Sequence, residues 1–286
     1  MRIERVGDFR LGWGESLVWD ERSRRLYFVD CAAQTLHWLD DGSDELHTLR
    51  LPSMAAGLVP TDDGALVACL DDGLHRVDPD AGTTTLLTPY PEALGRRAND
   101  ACADLSGNLI TGTLNLQKAA GSSWCYSSRH GWRLLDPDIS NTNGPTVAVL
   151  DGSMTLVIGD TSAQYYAYPY DTDSGTAGPR QVFGDVSDLE GLPDGATLDD
   201  EEGLWCALVG GAQLARFTTA GLDRTLPVPV VNPTDVTFGG PELNRLYVVS
   251  IASSGSDGTG LDGALLVIDD TGARGRPEPR FRLDSD

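Results

Sequence analysis

The sequence is short of lysine. Of its 21 basic residues Lys118 is the one lysine, and 43 acidic residues bring the formal net charge to −22. So negative a surface repels phosphate backbones, and nucleic acid is excluded as an expected partner. Arginine in place of lysine, together with a large aspartate excess, is also the balance that adaptation to salt produces; it speaks to solubility rather than to fold. No run of 18 apolar residues occurs, so no spanning helix and no membrane partner are expected. Residues 1–10 lack the apolar centre of a secretory signal, which makes the cytoplasm the expected location. The five cysteines, Cys31, Cys69, Cys102, Cys125 and Cys206, are odd in number, widely spaced and without a C-x-x-C pair. That argues against a zinc ribbon or a disulfide framework and leaves buried thiols as the expectation. Only four histidines are present, and none form a His-x-x-x-His pair. His37, His47, His75 and His130 read as structural or surface residues. There is no Gly-x-Ser-x-Gly elbow and no glycine-rich phosphate loop, so nucleophilic-serine and nucleotide chemistry have no sequence support.

What the sequence does have is repetition. A length of 286 residues with 40% hydrophobic and 22% charged residues is globular. One phrase recurs through it: a short apolar run, an Asp- or Gly-rich turn, and a second apolar run. It occupies residues 17–30, 58–69, 103–113, 147–160, 196–207 and 236–249. Its turn positions are Asp20, Asp62, Asp104, Asp151, Asp199 and Gly240, at intervals of 42, 42, 47, 48 and 41 residues. Period-two alternation bounded by Gly, Asp and Pro prevails, and no stretch holds a 3.6-residue apolar period for three turns. Six units with room for four short strands each predict an all-β fold, a six-bladed β-propeller with a central channel, as one domain over 1–286. The ring has to close, and the extended, apolar stretches 3–11 and 279–283 are both expected to complete one blade. The Gly/Ser-rich segment 252–262 reads as a surface loop.

A repeat fixes which residues share a rim. The positions just before the first apolar run carry Glu15, Asn99, Asn143, Asp194 and Asp235, all polar and all oxygen-bearing. Carboxylate and amide oxygens from separate blades suit a divalent cation, with open positions left for water and substrate. Asn143 and Asp194 also precede Gly144 and Gly195, where shaping a turn accounts for them equally well.

At these residues the chain resembles the senescence marker protein / regucalcin / gluconolactonase family, and its bacterial aldonolactonases in particular. The motifs are Leu11-Gly-Trp-Gly-Glu-Ser-Leu-Val-Trp19, Arg97-Ala-Asn-Asp100, Ser106-Gly-Asn-Leu-Ile-Thr-Gly-Thr113, Ile139-Ser-Asn-Thr-Asn-Gly-Pro145, Leu192-Pro-Asp-Gly195 and 238–247. The resemblance implies one divalent metal ion (Ca, Zn, Fe, Mn or Mg) held by Glu15, Asn143 and Asp194. It implies substrate binding by Arg97 and Asn99, with Gln117 near a position where the family often has Glu. There are departures: Leu17 stands where the family has proline, Leu114 follows Gly112-Thr113, and Asn141 competes with Asn143 as the blade-four ligand.

The implied reaction is hydrolysis of a sugar lactone, a small-molecule substrate, with Asp194 as the catalytic proton acceptor as well as a ligand. The alternatives are hydrolysis of another ester, such as an organophosphate or a less polar lactone, and a non-enzymatic ligand-binding propeller. Because a propeller buries its core unaided, a monomer or weak homodimer is expected.

Overall fold

The computed structural model describes residues 1–94, 97–114, 121–252 and 260–283. The alternating pattern becomes strand throughout these residues, in six antiparallel sheets. Each sheet begins with the strand nearest the centre: Gly14–Asp20, Leu58–Pro60, Ala98–Ala103, Asn143–Leu150, Leu192–Leu198 and Pro233–Gly239. These six strands touch one another in cyclic order, the last against the first, so the sheets form a ring. The molecule is a six-bladed β-propeller.

Burial explains why the ring forms. Gly14–Asp20 and Pro233–Gly239 are buried along nearly their whole length, whereas the outer strands His47–Arg50 and Thr83–Pro89 have no buried residue. No blade has a core of its own. Tyr27, Val29 and Trp38 of blade 1 pack with Leu58, Leu66 and Val77 of blade 2, and four similar clusters follow around the ring. A sixth joins blade 6 to blade 1 through Tyr247, Val249, Trp19 and Phe28. Each apolar face is covered only by its neighbour, so no blade is stable outside the ring.

The repeated aspartates hold the hairpins. Asp104 Oδ1 accepts from the amides of Ser106 and Asn108, and Asp199 Oδ1 accepts from those of Glu201 and Gly203. A short side chain that bonds to amides two and four residues on is what a tight turn selects.

Closure differs from expectation at one end. Arg2–Val6 is the outer strand of blade 6, paired with Leu265–Asp269 from Arg2↔Asp269 to Val6↔Leu265. Residues 279–283 join no blade, because Arg2–Val6 already fills that edge. Instead the C-terminal segment crosses the mouth of the channel. It leaves blades 5 and 6 where Asp200 N donates to Arg274 O and Gly275 N to Leu243 O. It reaches blades 2 and 3, where Phe281 N donates to Pro60 O and the Phe281 ring is buried between them.

Candidate functional site

Five of the six innermost strands are irregular at the same place. Their register shifts between Glu15 and Val18, Ala98 and Ala101, Asn143 and Thr146, Pro193 and Ala196, and Pro233 and Asp235. A β-bulge re-aims side chains that regular alternation sends to the two faces of a sheet. Here the bulges carry Glu15, Asn99, Asp100, Asn143, Asp194 and Asp235. Blade 2 pairs without a shift, and the matching position is Gly57, where a Cβ would meet the Cβ of Ala101 at 2.8 Å. Asn143 lies eight residues before its turn instead of five because its strand is longer.

The side chains are linked around the channel. Asn143 Nδ2 donates to Pro193 O at 2.9 Å, which fixes the amide with its oxygen turned away from Pro193. Asn99 Nδ2 donates to that oxygen at 2.5 Å and to Thr142 O at 3.0 Å. Trp13 Nε1 donates to Glu15 Oε1 at 2.7 Å. Tyr165 donates its hydroxyl to the backbone oxygen of Asp194 at 2.8 Å. Asp100 and Asp235 tie neighbouring blades: Asp100 Oδ2 accepts from Gly144 N at 2.8 Å, and Asp235 Oδ2 accepts from Leu17 N at 2.6 Å. Asn141, by contrast, donates from Nδ2 to Thr161 Oγ1 at 3.3 Å, beside blade 4.

Four acids therefore share one low-dielectric space. Glu15, Asp100 and Asp194 keep partial solvent contact through the channel, yet protein surrounds them, and burial is the largest cause of every shift. Glu15 is pushed up to about 8 by burial and then by the charge of Asp100, with Trp13 and Arg97 opposing. Asp100 is pushed up to about 6 by burial, against the Gly144 and Ala101 amides. Asp194 and Asp235 lie well above the usual carboxylate range, from burial and then mutual repulsion. Like charges held this close cannot all ionise unless a cation joins them.

Arg97 comes from the segment before blade 3 and lies over the Trp13 ring, its guanidinium carbon 5.4 Å from the ring centre. Its Nε and Nη2 are buried without a hydrogen-bond partner among the described residues. A buried donor without a partner is costly, which makes these N–H groups candidates to bind a ligand's oxygens. It is not the solvated surface arginine that its position in the sequence also allows.

Of the residues singled out in the sequence, the structure brings together Glu15, Arg97, Asn99, Asn143, Asp194 and Asp235. Gln117 lies outside the described residues. Asp100 and Trp13 were not singled out. Asp100 follows Asn99 directly, and the signal for it was an acid next to an amide at a rim position. The histidines lie elsewhere: His37 bonds Thr35 and Thr48, and His75 bonds Asp72. All five cysteines are free thiols.

The donor set fits a hard divalent cation. Glu15 and Asp194 are half-buried carboxylates with no ion-pair partner in contact among the described residues, and the amide oxygen of Asn143 is oriented by its own N–H₂. Among the described residues no three His, Cys, Asp or Glu side chains form a group that could hold a metal ion.

Comparison with known proteins places the chain in a family. Residues 13–252 match the model of the SMP-30/Gluconolactonase/LRE-like region. Pentonolactonase XacC of Haloferax volcanii is 30% identical, covering 99% of both chains. Regucalcin of Gallus gallus is 27% identical over 98% of both. The crystal structure of a calcium-binding protein, regucalcin, from Agrobacterium tumefaciens superimposes with a TM-score of 0.87 at 27% identity, covering 98% of this chain and 97% of that one. With the match running through five blades and the two inner strands of the sixth, the chain belongs to the SMP-30/gluconolactonase/LRE-like family.

Proposed function

We propose that the protein hydrolyses a sugar lactone at the bulged rim of the channel, using a divalent cation held by Glu15, Asn143 and Asp194. The observation that carries this reading is the convergence of the carboxylates of Glu15 and Asp194 and an oriented amide oxygen near the N–H groups of Arg97, two of which have no partner among the described residues. The pentonolactonase relative supports the substrate class. The relative described as calcium-binding supports a divalent ion.

A cation at this place supplies Lewis acidity that polarises the ester carbonyl and favours ionisation of water. The protein's own groups do the rest. Arg97 donates from Nε and Nη2 to lactone oxygens and holds the ring in place. Asn99 has committed its N–H₂ group to Asn143 and Thr142, and its amide oxygen is left to accept from a substrate hydroxyl. Asp194 takes the proton of the attacking water. Tyr165 fixes the backbone at Asp194, which sets the angle of that carboxylate. The water oxygen bonds to the acyl carbon, the bond from that carbon to the ring oxygen breaks, and Asp194 returns the proton to the released alkoxide oxygen to give a hydroxy acid.

The test is a pH-indicator assay over a panel of aldonolactones and one phosphotriester, on chelated protein with single metals restored. Metal-dependent acid release from a lactone supports the reading. Turnover confined to the phosphotriester, or none with any metal, overturns it.

A further inference from the structure

Trp13 is off the repeat phase, yet it touches both halves of the site. Its indole N–H donates to Glu15 Oε1 at 2.7 Å. Its ring lies beneath Arg97, and the guanidinium carbon is 5.4 Å from the ring centre. Trp13 is itself held firmly. Its amide donates to Asp30 Oδ1 at 3.1 Å, and its carbonyl accepts from Cys31 N at 2.8 Å. It bridges Ile251 of blade 6, and its side chain packs against the cluster between blades 1 and 2. Arg97 has the opposite character, since its Nε and Nη2 have no partner among the described residues. The ring face of Trp13 is thus the contact the structure shows for the guanidinium, and it joins a group of blade 3 to a group of blade 1.

We propose that Trp13 is a positioning residue with two separable roles: its N–H fixes the rotamer of Glu15, and its π face holds the Arg97 fork towards the substrate's oxygens. The inference rests on the function proposed above, with Glu15 a metal ligand and Arg97 a substrate contact.

Both roles have a physical basis. A hydrogen bond to one carboxylate oxygen leaves Glu15 Oε2 as the oxygen free for the cation, and removing such an outer partner costs roughly 10–100-fold in metal affinity or activity. A guanidinium within about 6 Å of an indole face is attracted by the ring quadrupole. The two donors without a partner among the described residues, Nε and Nη2, lie on one edge of the planar guanidinium. That arrangement suits two adjacent oxygen acceptors, such as those of a polyhydroxylated lactone, better than a ring without hydroxyls.

Two substitutions separate the roles. Trp13→Phe keeps a ring under Arg97 and removes the donor to Glu15. Trp13→Leu removes both. Metal affinity, read by isothermal titration calorimetry with Mn²⁺, is expected to fall about tenfold or more in both variants. At saturating metal, KM for a polyhydroxylated lactone is expected to stay within about threefold of the parent in Trp13→Phe. In Trp13→Leu it is expected to rise about five- to tenfold. KM for unsubstituted γ-butyrolactone should be equal in both. If Trp13→Leu does not fold, Trp13→Met replaces it.

Parental Mn²⁺ affinity in Trp13→Phe overturns the first role. Equal KM in the Phe and Leu variants overturns the second. A parent protein that binds Mn²⁺ and opens lactones while both variants match it overturns this inference alone. A parent that does neither overturns the proposed function and the inference with it.

Discussion

Asn99 and Asn143 are joined side chain to side chain across the boundary between blades 3 and 4, Nδ2 of the first donating to Oδ1 of the second at 2.5 Å. In the proposed site the bond couples the residue assigned to substrate to the one assigned to the metal. Asn99→Ala is expected to weaken divalent-metal affinity by about tenfold, as loss of an outer partner does, and to raise KM as well. Calorimetry and steady-state kinetics on the same preparation check both; a change in KM alone would mean that the bond carries no orientation.

Asp194 has two roles in the proposed reaction, and its substitution should be the most severe. Asp194→Ala is expected to abolish turnover, whereas Arg97→Ala should chiefly raise KM. An active, metal-replete Asp194→Ala protein refutes the assignment. Unchanged saturation with every active lactone refutes that of Arg97.

The six-fold pattern was legible because each blade needs the same turn, and the aspartates that mark the turns bond the amides that follow them. The rim positions were legible for the same reason: Glu15, Asn99, Asp194 and Asp235 each stand five residues before their turns, and Asn143 stands eight before its own on a longer strand. Asp100 and Trp13 were not, because a bulge breaks the two-residue alternation and lets neighbours such as Asn99 and Asp100 act on one site. The course of the C-terminal segment was not legible either. Phe281 is apolar whether it pairs in a blade or packs across a channel mouth, and only the edge filled by Arg2–Val6 distinguishes the two.

Where that segment crosses the channel, Glu278 is pushed up to about 7, first by burial and then by the charges of Glu21 and Asp100, with the Thr237 hydroxyl opposing. The folded protein then holds a proton that the unfolded chain has lost, so stability should fall as pH rises from about 4.5 to 7 and level off above. Glu278→Gln is expected to reduce this slope and to be more stable than the parent at pH 8 by about 3 kcal/mol. Urea denaturation at several pH values measures it. An unchanged slope in the variant would show that Glu278 titrates normally.

Asp199 closes a blade-5 turn and accepts from Arg216 Nε at 2.7 Å and Trp205 Nε1 at 2.9 Å, all deep in the protein. These bonds outweigh burial and hold its carboxyl below the usual range. Asp199→Ala leaves a buried guanidinium without this partner and should cost about 3–5 kcal/mol. Chemical denaturation reads it directly, and a loss below 1 kcal/mol would contradict the account.

In the proposed site Glu15, Asn143 and Asp194 hold one divalent cation on the rim of the channel. The most direct measurement is anomalous diffraction from crystals grown with Mn²⁺. The account predicts one strong peak bounded by a carboxylate oxygen of Glu15, Oδ1 of Asn143 and a carboxylate oxygen of Asp194, absent in Asp194→Ala. A peak elsewhere in the channel, or none at saturating Mn²⁺, would contradict it.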